Sequence, residues 1–165
     1  MAGNETVQRH MIADYLNVGT EEETYELMGT GFNAIDEEFG AKTDSKQYIN
    51  SKNASTAVTG YEAGFEFDSD LIKSEKAVMK LYEIGASRKT GIDAEVDYIR
   101  VELFNPTPLG SGTEFKARKF RCAAALDKAE GEGGETIKIS GTLHQVGDAI
   151  EGKFNTSTKT FTPNE

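Results

Sequence analysis

The sequence has little of the material from which most metal sites and many catalytic sites are built. Its 165 residues include one cysteine, two histidines and no tryptophan. A structural zinc site commonly needs four closely spaced Cys or His ligands, whereas Cys122, His10 and His144 lie far apart in the chain. A single thiol also excludes an internal disulfide. We therefore expect no metal, no cofactor and synthesis in a reducing cytosol.

Long apolar stretches are missing as well. Mean hydropathy is −0.52, and no run approaches the ~20 apolar residues of a membrane helix. The first residues, Met1–Asp14, contain no apolar segment typical of a secretory signal. The length fits a single domain over residues 1–165, for which the sequence predicts no membrane contact.

Basic residues are scarce in the first part of the chain. Residues 1–70 carry 14 acidic and 4 basic side chains, whereas residues 71–165 carry 14 of each, so the net charge of −10 arises entirely before residue 71. Tight nucleic-acid binding needs a basic surface, which this composition argues against. The acidic excess is either a solvated surface, a surface that meets a basic one on a neighbouring copy, or a wall past which a polyanion slides.

Catalytic motifs are not evident. No Gly-x-Ser-x-Gly elbow occurs. Gly29–Ala34 matches a loose dinucleotide fingerprint, but the acidic, Gly-terminated segment after it does not suit a pyrophosphate, and we interpret it as a turn. Carboxylate pairs are so abundant that none is specific. The sequence thus predicts that the protein is not an enzyme, and a carboxylate-based hydrolase is the least favoured alternative.

Glycine-punctuated runs of β-branched and aromatic residues predict a mainly β protein. Apolar and polar residues alternate clearly in Thr136–Val146, which a turn at Gly147-Asp148 would join to a partner strand over Ala149–Phe161. The other candidate strands are Thr59–Asp68, with Tyr61, Ala63, Phe65 and Phe67 on one face, Val96–Phe104, Phe115–Leu126, Ile12–Val18, Thr24–Met28 and Phe39–Ile49. The alternation changes phase within Val96–Phe104, which indicates a strand buried on both faces or a β-bulge.

One segment has helical periodicity instead. Apolar residues from Leu71 to Ile84 form a helical stripe, with Ser74 as a candidate N-cap. Such a stripe must pack on a sheet. The predicted fold is an antiparallel β-sandwich or open barrel with one flanking α-helix. Residues 1–14 are predicted to form an N-terminal arm, and residues 43–55 a long loop or an extended hairpin tip.

Several of these segments together resemble the major tail-tube proteins of tailed phages. The resemblance lies in the order and character of TGYEAGFEFD at 59–68, the helix, RKTGIDAEVDYIRVEL at 88–103 and GEGGETIKISGTLHQVGDAIEGKFNTSTKTF at 131–161. It covers roughly residues 55–162 and applies equally to the inner tubes of contractile tails and tail-like bacteriocins.

The resemblance implies a subunit that forms hexameric rings, whose stack is a tube for DNA passage in the virion tail. Its implied partners are further copies, a tape-measure protein and tail-end proteins, with DNA only in transit. Alternation nominates lumen-facing acids, and charge nominates basic residues that would pair with the first part of a neighbouring subunit. The candidate lumen-facing acids are Glu62, Glu66, Asp68 and Glu151. The candidate inter-subunit basic residues are Lys116, Arg118, Lys119 and Arg121. Contacts between stacked rings are expected at the arm Met1–Asp14 and at the loop Thr43–Ser55.

A different class of function remains open at this point. A non-catalytic β-sandwich module that binds a carbohydrate or decorates a capsid would have the same fold class. Such a module would be expected to expose aromatic side chains on a concave face, whereas Tyr61, Phe65 and Phe67 are predicted to be core. It would also remain monomeric or of low order, which distinguishes it from a ring-forming subunit.

Overall fold

The computed structural model describes residues 4–108 and 112–165. Its strands are β1 (Ile12–Asn17), β2 (Tyr25–Leu27), β3 (Phe32–Glu38), β4 (Ala41–Lys46), β5 (Ser55–Tyr61), β6 (Gly64–Asp70), β7 (Glu95–Pro106), β8 (Glu114–Glu130), β9 (Lys138–Asn155) and β10 (Thr160–Pro163). One α-helix, α1, spans Lys76–Ala86, and short 3₁₀ turns cover Arg9–Met11 and Gly91–Ala94.

Eight strands form one antiparallel sheet in the order β2-β1-β7-β8-β9-β6-β3, with β10 paired to the second half of β9. The sheet curls into a half-barrel, and α1 packs on one of its faces. The predicted mainly β fold with one flanking helix is confirmed, in its open-barrel form. Strands β4 and β5 form a separate two-stranded hairpin.

Hydrophobic side chains are buried on both faces of β7. Val96 and Tyr98 belong to the cluster beneath α1, while Ile99 and Val101 belong to a second cluster on the other face. The two clusters explain the change of phase in the sequence, because successive residues of a strand point to opposite faces. A register shift against β8 also lies between Glu102 and Pro106.

Helix α1 begins later than its apolar stripe suggested. Its N-cap is Glu75 and not Ser74, because residues 72–75 form a turn in which the Glu75 N–H donates to the Ile72 carbonyl at 3.1 Å. Leu71 therefore precedes the helix, although it packs against the same cluster. The helix buries Ala77, Val78, Leu81 and Ile84, which are part of the predicted stripe.

Two predictions about where strands end were wrong. Thr59–Asp68 is not one strand: β5 ends at Tyr61, β6 begins at Gly64, and Tyr61 is 68% exposed while Phe65 and Phe67 are core. Gly147-Asp148 does not reverse the chain either, because β9 continues through it to Asn155. Between the pairs Lys119↔Ile150 and Arg121↔Val146, β9 carries extra residues, and this bulge includes Gly147 at φ +72°.

The lone cysteine, Cys122, lies in the cluster beneath α1 and is fully buried. Burial, followed by the charge of Asp97, raises the pKa of its thiol to about 12. Because the thiolate is the reactive species, we expect no labelling of the native protein by a thiol reagent at neutral pH and complete labelling in urea. Stoichiometric labelling of the folded protein would contradict this packing.

Candidate assembly surfaces

The face of the sheet opposite α1 carries an acidic strip on β3 and β6. Phe65 and Phe67 point into the cluster beneath the helix, so Glu66 and Asp68 point to the opposite face. Asp36 of β3 is in register with Glu66 of β6. Glu38 follows two residues after Asp36 on the same face of β3 and acts on the carboxyl of Glu66. We call Asp36, Glu38, Glu66 and Asp68 the acidic strip.

The four predicted lumen-facing acids do not form one surface. Glu66 and Asp68 share the acidic strip, whereas Glu62 lies in the β5–β6 connection and pairs with Lys42 at 3.0 Å. Glu151 is in register with Arg118, whose guanidinium stacks on Phe120 of the cluster beneath α1. Directly paired residues share a face, so Glu151 lies on the other side of the sheet from Glu66 and Asp68. Lumen exposure of all four remains a prediction.

Carboxylates in the acidic strip repel one another. The hydrogen bond that the protonated Glu66 carboxyl donates to Glu38, followed by the negative charges of Glu38 and Asp36, raises the pKa of Glu66. An acid whose pKa is raised on folding binds its proton more tightly in the native state, so its stabilising contribution is lost as pH rises through that pKa. We therefore expect Glu66→Gln to raise the melting temperature at pH 7. The gain should vanish below the ordinary glutamate pKa of 4.5, and an unchanged gain at low pH would contradict this origin.

The predicted basic residues have partners within the same chain, with one exception. Arg118 makes a bidentate ion pair with Glu37 at 2.8 and 2.9 Å, Lys119 pairs with Glu23 at 2.8 Å, and Arg121 bridges Glu95 and Asp97, both at 3.2 Å. Lys116 is exposed and has no ion pair among residues 4–108 and 112–165. Pairing of these basic residues with a neighbouring subunit stays a prediction. Of the four, Lys116 is the one whose ammonium group has no ion-pair partner among the described residues.

A buried ionic network joins the two ends of the curled sheet. The Asp14 carboxylate on β1 accepts hydrogen bonds from the hydroxyl of Tyr98 and, at 3.3 Å, from the guanidinium of Arg100. Arg100 also lies 3.7 Å from Glu37 on β3, and Arg118 completes the group. Burial first, and then the charge of Asp14, raise the pKa of Tyr98 well above its usual value. These side-chain ion pairs thus connect β3 with β1, β7 and β8.

The predicted arm is tied to this network at its end. The Arg9 guanidinium contacts Asp14 at 2.5 Å and donates to the Ile12 carbonyl at 2.9 Å and to the Ile35 carbonyl at 3.5 Å. Strand β1 begins at Ile12, so the last three residues of the predicted arm belong to the sheet. Residues 4–10 are exposed, and residues 1–3 lie outside the described part of the chain.

The predicted long loop is a projecting hairpin. Strands β4 and β5 pair from Ala41↔Tyr61 to Lys46↔Ser55, and apart from the half-buried Gly60 their residues are exposed. The hairpin has no strand partner elsewhere among the described residues. Of the twelve exposed large hydrophobic side chains in residues 4–108 and 112–165, five lie between residues 39 and 61, namely Phe39, Tyr48, Ile49, Val58 and Tyr61. A two-stranded hairpin is marginal alone, and this concentration of exposed apolar side chains makes the hairpin a candidate contact surface.

His, Cys, Asp and Glu side chains of residues 4–108 and 112–165 form no group of three or more arranged to hold a metal ion. In the same residues no helix has the length and apolar character needed to cross a membrane.

Comparison with known proteins defines the fold class. The chain has the fold of tail components of phage-like particles. It resembles a chain in the tail of an empty gene transfer agent particle, refined with C6 symmetry, with a TM-score of 0.61, 11% identity and coverage of 95% of this chain and 99% of that one.

Two further solved structures are similar. A chain of the sheath/tube terminator of the PVC extracellular contractile injection system gives a TM-score of 0.59 at 10% identity, covering 91% of this chain and 99% of that one. A chain of the tube-terminating cap of the anti-feeding prophage gives 0.58 at 10% identity, covering 94% and 95%. No protein-family model matches the sequence, and no curated protein matches it.

Proposed function

We propose that this protein is a non-catalytic structural subunit that assembles into hexameric rings, which stack to form a tail tube through which DNA passes. The observation that carries the proposal is the projecting β4–β5 hairpin, with its exposed apolar residues, on a domain with the fold of tail components. An isolated soluble domain gains nothing from such a surface, whereas a subunit buries it against its neighbours.

Ring closure would use the two ends of the main sheet. Strands β2 and β3 are the two edge strands of the sheet. Among the described residues, the outer edge of each has no paired strand. Exposed edges of this kind are ready to pair with another chain. Because β2 and β3 are different strands, their pairing between copies would be head-to-tail, and a suitable rotation closes such contacts into a ring.

The acidic strip would line the channel of this ring. It lies on the face of the sheet opposite α1, and its four carboxylates repel phosphate. DNA would then slide past the wall without binding to it. Glu66 and Asp68 are the predicted lumen acids that best suit this position, and Asp36 and Glu38 join them from β3.

Ring stacking would use the hairpin and the N-terminal arm, residues 1–14. The assembled tube would contact a tape-measure protein inside and tail-end proteins at its ends, in a virion tail made in the cytoplasm of a bacterial host. A second candidate is a tube-terminating subunit, which two of the similar structures contain. Such a subunit would form a ring that binds the end of a tube on one side and adds no further ring on the other.

Sedimentation velocity of the purified protein over a concentration series tests the proposal. A hexamer, growing into much larger species as concentration rises, is the expected result. A hexamer that never grows would favour the terminator. A protein that remains monomeric at every concentration, also with tail-end proteins added, would overturn the assembly role and favour the non-catalytic binding module.

A further inference from the structure

A groove lies at the base of the hairpin, between the hairpin and the bulged part of β9. Its volume is about 1170 Å³. Phe39, Tyr61 and Glu62 line one side, and the bulge residues around Asp148 line the other. Phe39 and Tyr61 are 60% and 68% exposed, so this side of the groove offers two aromatic rings to solvent.

The groove is strongly acidic. Five carboxylates line it, those of Glu37, Glu38, Glu62, Asp148 and Glu151, against a single guanidinium, that of Arg118. Glu37 already holds that guanidinium, and Glu62 pairs with Lys42 at 3.0 Å. Neither Asp148 nor Glu151 has an ion pair among the described residues, and both are exposed. A ligand for this groove should therefore be cationic.

The backbone of the bulge is also open on one side. Pairing of β9 with β6 ends at His144, and pairing with β10 begins at Gly152. Between these points β9 has only β8 as a strand partner among the described residues. Some main-chain groups here already have partners: the Gln145 N–H donates to the Ala63 carbonyl, and the carbonyls of Gly147 and Glu151 accept from the Gln145 side chain and the Asn164 N–H. An incoming segment would add main-chain hydrogen bonds to the remaining groups of the bulge, in addition to side-chain contacts.

The tip of the hairpin has the complementary character. Lys46 and Lys52 flank it, and no acidic residue occurs from Ser45 to Tyr61 in a chain of net charge −10. Tyr48 is 63% exposed and Ile49 is completely exposed. The tip is also preorganised, because the Gln47 side-chain amide donates to the carbonyls of Ser51 and Lys52 at 3.2 and 3.0 Å. Preorganisation lowers the entropic cost of binding.

We propose that the hairpin tip of one subunit docks into the acidic groove of a subunit in the next ring, with Lys46 and Lys52 facing Asp148 and Glu151 and with Tyr48 and Ile49 against Phe39 and Tyr61. This inference rests on the proposed function and names the surface that receives the hairpin.

The geometry of the hairpin makes this a contact between copies. The groove is at the base of the hairpin and the tip is at its far end, about 20 Å away for a six-residue strand. A subunit cannot fill its own groove. Each copy offers one tip and one groove, so the contact is head-to-tail and can be repeated along a stack without limit. Electrostatic complementarity then sets the register, while the aromatic and aliphatic contacts hold the rings together.

Charge reversal tests the inference. We expect Lys46→Glu/Lys52→Glu to raise the concentration needed for tube formation at least about tenfold, which corresponds to ~1.4 kcal/mol per contact. Adding Asp148→Lys/Glu151→Lys to the same chain should restore assembly, because the pairs are rebuilt with reversed sign. Lys73→Glu/Lys128→Glu, two exposed lysines away from the tip and the groove, is the control with the same change in net charge and should assemble as the wild type does.

The possible results distinguish failure of the tip–groove contact from failure of the proposed tube function. If the wild type forms tubes and the tip-reversed variant forms them equally well, or if the groove reversal fails to rescue it, the tip–groove contact is wrong while the tube function stands. If the wild type forms no tubes, the proposed function fails and this contact fails with it. All six substituted positions are exposed, so unchanged circular dichroism and melting temperature should accompany every variant.

Discussion

Replacing Asp14 with alanine is expected to destabilise the folded subunit by about 3–5 kcal/mol. The side chain of Asp14 is 1% exposed and that of Arg100 is 8% exposed. Removing the carboxylate leaves the Arg100 guanidinium and the Tyr98 hydroxyl in the interior without their principal acceptor. An uncompensated buried charge costs much more than the net contribution of the pair it came from. For a domain of this size the melting temperature should fall by roughly 10 °C.

Arg9→Ala is the matched control for this prediction. Arg9 also pairs with Asp14, but its side chain is 49% exposed. Without Arg9, the carboxylate retains both Tyr98 and Arg100, so the expected loss is near that of a surface ion pair, about 1 kcal/mol or less. Equal losses for Asp14→Ala and Arg9→Ala, measured by urea unfolding, would show that the network does not carry the connection between β1 and β3.

Removal of the hairpin is expected to abolish ring stacking while leaving the domain folded. Lys42 and Gly60 are paired across the hairpin, so residues 43–59 can be replaced by a two-residue Asn-Gly turn that suits a tight hairpin. None of the removed residues is buried, and the melting temperature should change little. Because the edges β2 and β3 are untouched, single rings should still form.

The shortened protein therefore separates stacking from ring closure. Sedimentation should show the hexamer without larger species at concentrations where the wild type forms tubes. Tubes from the shortened protein would contradict the role of the hairpin. A shortened protein that is unfolded by circular dichroism would contradict the independence of the hairpin from the core.

The sequence predicted the parts of the fold in which hydrophobic periodicity and burial agree. The stripe of α1 and the change of phase in β7 are both consequences of side chains that pack in the two clusters. Strand β3 was missed because its sequence, FNAIDEE, places Glu37 towards the interior, where arginines from β7 and β8 neutralise it. No local pattern reports a partner more than 60 residues away.

The candidate surfaces were predictable to a smaller extent. Alternation identified Glu66 and Asp68, but Asp36 and Glu38 of the acidic strip depend on β3, whose existence was not predicted. Likewise, Gly147-Asp148 has the composition of a turn, and only the long pairing with β8 shows that the chain bulges and continues. The basic residues of β8 were expected to pair with acids of residues 1–70, and within one chain Arg118 and Lys119 do so with Glu37 and Glu23.

Electron microscopy of the purified wild-type protein across a concentration series tests the central claim most directly. The account predicts six-membered rings at low concentration and hollow tubes at higher concentration, with the acidic strip facing the channel and the hairpin crossing from ring to ring. Single particles the size of one subunit at every concentration, also in the presence of tail-end proteins, would contradict it.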